Sequence, residues 1–247
     1  MKQSRFTGLL FCTALLFFLT SCGGGANEKT AATDSTAVDT TARTAVVKEM
    51  NTVITTPQNM VTVTFKVANY SKWKIGYEGH DSARLANGIH NYVIGRGLQD
   101  SNMVMVAMKI DDTAKAKAFV KSPGLKTAMQ KSGVVGAPMI SFITETWQDT
   151  AIIDSKIRSR TIFSVKDWDA WQKSFDEGKQ ERTDNGIIVR VIGHDMNANE
   201  KVFLVTALTD TAKAFAYYKS DALRKRREAG GVIGQPVRFL FRIVQRY

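Results

Sequence analysis

The sequence predicts an α+β protein in which one β-α-β-β-α-β unit occurs twice in tandem. Three observations predict it. Residues 58–148 and 156–247 align without a gap, every match being offset by 98 positions. Period-2 alternation and helical periodicity follow one another in the same order in both copies. Caps and turn residues stand at the same places between them. A period this long is the size of a domain rather than of a solenoid unit.

The shared positions include Phe65/Phe163, Val67/Val165, Trp73/Trp171, Arg84/Arg182 and Gly88/Gly186. The best-matched stretches are Asp112–Pro138 and Asp210–Pro236. In chain order, Val61, Val63, Phe65 and Val67 alternate with polar residues, which predicts a half-buried strand. Asn69, or Asp167 in the second copy, stands where a helix N-cap belongs. Tyr70, Trp73, Tyr77, His80 and Arg84 then fall within an arc of roughly 80° on a single helix. Trp168, Trp171, Phe175, Gly178 and Arg182 repeat that face, and Asn87-Gly88 and Asn185-Gly186 stop the helices.

Strands at 89–96 and 103–110, with a polar turn between them, predict a hairpin. Asp112 caps a second, alanine-rich helix, which Ser122-Pro123 restarts and Gly133 ends. A last strand is expected at 139–147. This is the ferredoxin-like order. Such a sheet carries both helices on one side, so its other face needs cover. Two copies can pack sheet to sheet as an intramolecular α+β barrel.

Lys2 and Arg5 precede an apolar run from Leu9 to Leu19, too short to span a bilayer but suited to a signal peptide over residues 1–21. Leu19-Thr20-Ser21-Cys22 resembles the lipobox of bacterial lipoproteins. That resemblance implies that Cys22 carries a palmitate-type lipid, which anchors the chain to a membrane of the cell envelope. An outer membrane, facing the periplasm or the surface, is the expected location. Residues 22–57 are rich in Gly, Ala, Thr, Ser and Asp, which predicts a disordered tether. Cys12 and Cys22 are the two cysteines, leaving none for a disulfide or a thiol nucleophile in the repeats.

The repeats also carry a family resemblance. Asp167-Trp168-x-x-Trp171-x-x-x-Phe175-Asp176 and the Lys-Ser-x-x-Leu…Gly-Val-x-Gly-x-Pro segment ending at Pro138 or Pro236 are similar to the dimeric α+β barrel superfamily. Its antibiotic-biosynthesis-monooxygenase-like domains usually pair as separate chains. Tyr77-Glu78-Gly79-His80-x-x-x-Arg84 resembles a Phe-Asp-x-His-x-x-x-Arg pattern of single-domain members. The resemblance implies cofactor-free oxidation or isomerisation of an aromatic compound, with His80 carrying the proton and Arg84 the substrate anion. Haem handling is a lesser variant.

Arg84 and Arg182 lie on otherwise apolar helix faces and must find acceptors, either structural or on an anionic ligand. Trp73, Tyr77 and Trp171 would wall the cavity beside them; His90 and Tyr92 share a strand face and could line another. No His-x-x-x-His pair, nucleophile elbow or phosphate-cradling loop is present, so neither a metal nor a cofactor is expected. The net charge is +11, densest at Arg224-Lys225-Arg226-Arg227. Such a run reads first as a solvated helix face; on an exported chain it also offers a contact for anionic lipid or lipopolysaccharide, and nucleic acid is not expected. Three functions follow as expectations: binding of a small apolar or anionic molecule, His80-dependent catalysis, or a purely structural envelope role. The last requires both arginine-lined cavities to be filled.

Overall fold

The computed structural model describes residues 51–247. The signal segment, Cys22 and most of the expected tether lie outside them. No helix of the described residues is long and apolar enough to cross a membrane.

The first copy runs β2 (Gln58–Val67), α1 (Tyr70–Gly79), α2 (Asp81–Ala86), β3 (Ile89–Gly97), β4 (Met103–Ile110), α3 (Thr113–Val120), α4 (Pro123–Lys131) and β5 (Val134–Asp149). The second repeats the order with β6 (Ile157–Val165), α5 (Trp168–Glu177), α6 (Lys179–Asp184), β7 (Ile187–Asp195), β8 (Ala198–Leu208), α7 (Thr211–Tyr218), α8 (Asp221–Ala229) and β9 (Val232–Arg246). A short β1 (Val53–Ile54) precedes both.

The expected caps form. Asn69 and Asp167 accept from the Lys72 and Ala170 amides at 2.9 and 2.7 Å. Asp112 and Asp210 accept from Lys115 and Lys213, both at 3.0 Å. Ser122 and Ser220 cap the restarted helices at 3.2 Å. Gly88 and Gly186 adopt φ of 64° and 67°, the left-handed conformation a helix stop requires.

Strand pairing closes the sheet. Its order is β1-β5-β2-β4-β3-β9-β6-β8-β7, and β7 pairs back onto β5. The copies thus meet edge to edge, β3 on β9 and β5 on β7, as well as facing each other across a lumen. Closure leaves no free edge along the ring, which is how barrels avoid edge-to-edge association.

Four local expectations are corrected. The tether does not extend to 57, because β1 pairs with the end of β5. Thr52 donates to Asp149 at 2.8 Å, and its carbonyl accepts from Thr150. The helix expected over Tyr70 to Arg84 breaks at His80, which has φ −98° and ψ 11° and serves as the cap between α1 and α2. Gly178 breaks the second copy likewise. The last strand starts at Val134 rather than Met139. Finally, β2 is buried on both faces: Val61, Val63 and Phe65 pack under the helices, while Thr62 and Thr64 are also buried.

Candidate functional site

Each copy encloses a cavity between its helices and its side of the barrel wall. In the first copy it measures about 70 Å³ and is walled by apolar side chains such as Val63, Phe65, Trp73, Phe119 and Ile140. Trp73 is 3% exposed, packed between Phe65 and Tyr77 at centroid distances of 5.5 and 5.0 Å. Arg84, 4% exposed, stacks on the Tyr77 ring at 3.8 Å and donates to Asp81 Oδ1 at 3.2 Å. Asn91 Nδ2 donates to the same oxygen at 2.6 Å, and Asn91 Oδ1 accepts from the Tyr77 hydroxyl at 2.5 Å. Burial holds the Tyr77 phenol well above its ordinary range, so at neutral pH it is a donor. The guanidinium is held by a ring, a carboxylate and a carboxamide that orients the carboxylate, while its buried Nε has no hydrogen-bond partner.

The second copy keeps the arginine and loses its partners. Tyr77, Asp81 and Asn91 correspond to Phe175, Lys179 and Val189. Arg182, 6% exposed, stacks on Phe175 at 3.6 Å and donates to the Phe175 carbonyl at 2.5 Å. It makes no ion pair among the described residues. Burial pulls its pKa down to about 10, against weaker opposing fields from Tyr217 and Asp176.

The cavity beside it, about 80 Å³, is also re-lined. Val63, Met108, Phe119 and Val120 correspond to Thr161, Thr206, Tyr217 and Tyr218. Ala128, Met129 and Ile140 correspond to Arg226, Arg227 and Arg238. Glu181 answers only Arg226, at 2.7 and 2.6 Å. Arg238 stacks on Tyr218 at 3.5 Å, and its buried Nε has no hydrogen-bond partner. Thr206 Oγ1 is unpartnered too, and the Tyr217 hydroxyl lies beside Glu181 and Arg226. Burial lowers the pKa of both Arg227 and Arg238. Arg182 also lines an outer groove of about 450 Å³ with Trp147, Gln172 and Asp176, so it stands between the cavity and the surface.

The sequence-derived candidates therefore separate. Trp73, Tyr77 and Arg84 line the first cavity, Trp171 and Arg182 the second. His80 lines neither: it caps the α1–α2 joint. His90 is bonded to Asp111 at 2.6 Å with a largely exposed side chain, while Tyr92 faces the barrel lumen and accepts from Gln148 at 2.8 Å. The basic run divides. Arg224 and Lys225 are exposed, with Arg224 paired to Asp221 and Glu228; Arg226 and Arg227 turn inward onto the cavity.

Gly178, opposite His80 in the alignment, has a packing reason. A Cβ there would lie 2.9 Å from Arg226 Cδ and 3.0 Å from Arg182 Nη1. The glycine makes room for two guanidinium groups. Arg238, Thr206 and Tyr217 are the site residues that sequence reasoning missed. The signal was available, since each is a polar residue at a position that is apolar in the other copy.

Haem does not fit these sites. No histidine lines either helix–sheet cavity, and 70 to 80 Å³ does not admit a macrocycle. No cluster of three or more metal-ligating side chains occurs among the described residues.

The fold is an α+β barrel of two ferredoxin-like units, closed within one chain. No family model and no curated protein matches the sequence. Solved structures do. A monooxygenase-like protein from Fusobacterium nucleatum superposes with a TM-score of 0.51 at 13% identity, over 76% of this chain and 93% of that one. A ferredoxin-fold protein from Listeria monocytogenes, related to antibiotic biosynthesis monooxygenases, matches at 7% identity and a TM-score of 0.44, over 77% and 97%. At such identities the likeness concerns the fold alone.

Proposed function

We propose that this chain binds a small organic anion with an apolar body in the helix–sheet cavity of its second copy. The observation that carries this reading is a group of guanidinium side chains round one cavity, Arg182, Arg227 and Arg238, that have no carboxylate partner among the described residues, with Arg238 Nε and Thr206 Oγ1 lacking any hydrogen-bond partner. Unpaired buried cations are costly, and an anion held by two or more of them removes that cost. Trp171, Phe163 and Phe175 supply a flat apolar wall for the rest of the molecule. In this reading Cys22 carries a lipid, the residues that follow it form the tether, and the exposed Arg224 and Lys225 meet anionic head groups, Arg224 while paired with Asp221 and Glu228.

The test is titration calorimetry with benzoate as probe. Saturable binding that weakens at least about tenfold in Arg182→Met and Arg238→Met, with Arg84→Met unaffected, is the expected result. Benzoate binding that ignores both variants would remove the reading.

A second reading is favoured by one cluster in the first copy. There the Tyr77 phenol, held by Asn91 beside Trp73 and Arg84, borders the apolar cavity. Together with the resemblance to monooxygenase-like domains, this would support cofactor-free oxidation of an aromatic substrate with Tyr77 as hydrogen-bond donor. His80 is displaced from that role by its place at the helix joint. Oxygen uptake with a panel of phenolic substrates, abolished by Tyr77→Phe, would support it. Equal uptake in Tyr77→Phe would not.

A further inference from the structure

The barrel lumen has its own unanswered polar groups, distinct from both helix–sheet cavities. It encloses about 120 Å³, lined from the first copy by Tyr92, Glu145 and Gln148 and from the second by Arg158, Arg160 and Arg190. Glu145, Gln148 and Arg160 are 7%, 5% and 4% exposed. Glu145 Oε2, Gln148 Oε1 and Arg160 Nε have no hydrogen-bond partner. The rest of Arg160 is fixed by donation to Thr64 at 2.8 Å, and Arg190 is fixed by Asp149 at 2.7 Å.

The lumen is asymmetric by sequence. Glu145 and Gln148 correspond to Ile243 and Arg246, whereas Arg158, Arg160 and Arg190 correspond to Met60, Thr62 and Tyr92. One copy supplies acceptors and the other supplies cations. Apolar side chains of similar volume would have been at least as stable in a closed barrel, so unpaired charges here call for a ligand. An opening of this volume holds several water-sized groups but no large molecule.

We propose that the lumen is a second binding site, taking a small carboxylate that also carries a hydroxyl or amino group. Its carboxylate sits against the arginines of the second copy, and its donor group is accepted by Glu145 and Gln148. Burial pushes the Glu145 carboxyl up to about 7, with Lys109 opposing, so at neutral pH it is poised to accept from a donor that compensates its desolvation.

The experiment compares L-lactate, L-alanine and propionate, which share a three-carbon acid frame and differ in one group. Each is titrated calorimetrically into the full chain. Lactate or alanine is expected to bind at least about tenfold more tightly than propionate, because propionate leaves Glu145 unanswered. Glu145→Leu is expected to abolish that preference. Arg160→Met, reading the other end of the ligand, is expected to weaken all three at least about tenfold. Thermal melts establish that each variant is folded, and Arg160→Met carries the test by itself if Glu145→Leu is not. Absence of saturable binding, equal affinity for propionate and the other two, or binding indifferent to Arg160→Met would each overturn the proposal.

Discussion

The two copies place an arginine at the same point of the same scaffold and treat it oppositely. Arg84 is stacked on Tyr77 and bonded to an Asp81 that Asn91 also holds. Arg182 has a phenylalanine face, a backbone carbonyl and no carboxylate, in a cavity that three more arginines share. The difference teaches which half is scaffold. The first copy pairs its cavity arginine with a carboxylate, although Arg84 Nε remains unpartnered. The second gathers four arginines round its cavity with Glu181 bonded to one of them, at a cost in stability that structural packing does not require.

The largest expected effect is a symmetric one. Trp73→Ala and Trp171→Ala each remove a ring that is 3% exposed, and each should cost roughly 3–5 kcal/mol in chemical denaturation. A large difference between them would break the claim that the two scaffolds are equivalent.

Next comes a pH effect confined to the lumen. Glu145 is raised from 4.5 to about 7 in the folded chain, so the folded state holds its proton through a window in which the unfolded state has released it. Stability from this group is present in full below pH 4.5 and is lost as pH rises to 7, on the order of 3 kcal/mol. Glu145→Gln should flatten the pH profile of the melting temperature over that window. An unchanged profile would place the proton elsewhere.

The arginines then separate in sign. Arg84→Met should destabilise by about 1–2 kcal/mol through the lost stack, the ion pair with the partly exposed Asp81 adding little. Arg182→Met should be neutral or stabilise by about 1 kcal/mol, since it removes a desolvated charge without a carboxylate partner. Thermal melts of the two variants read this directly, and equal destabilisation would contradict it. The smallest effects should come from the joint. His80→Ala is expected to stay within about 0.5 kcal/mol, whereas Gly178→His must displace Arg226 or Arg182 and should weaken anion binding. Benzoate affinity unaltered by Gly178→His would sink the packing account of that glycine.

Much of this fold is legible in the sequence. The 98-residue offset, the capping residues at 69, 112, 122, 167, 210 and 220, and the glycine stops place nearly every element. The misses have physical causes. His80 fits the helical arc in sequence, and only its backbone angles show that the helix turns there. A two-residue β1 carries no alternation to detect. Barrel closure buries Thr62 and Thr64, which in an open sheet would face solvent.

The candidate site was less legible. The copies differ at the histidines too, but the structure places His80 at a helix joint and His90 on Asp111, away from both helix–sheet cavities. A histidine draws attention because it titrates near neutrality. Ile140 against Arg238, or Met108 against Thr206, draws attention only once both positions are known to face an enclosed cavity. Arg226 and Arg227 read as a surface charge run because four consecutive basic residues on a helix cannot show which two turn inward. Glu145 needed the closed barrel, since its lumen is walled by strands from both copies.

The central claim is that the second copy, and not the first, holds an anion. Calorimetric titration of benzoate into the wild-type chain, Arg84→Met and Arg182→Met tests it most directly. The account predicts equal binding by the first two and a loss of at least about tenfold in the third. Binding lost with Arg84 and kept without Arg182 would contradict it.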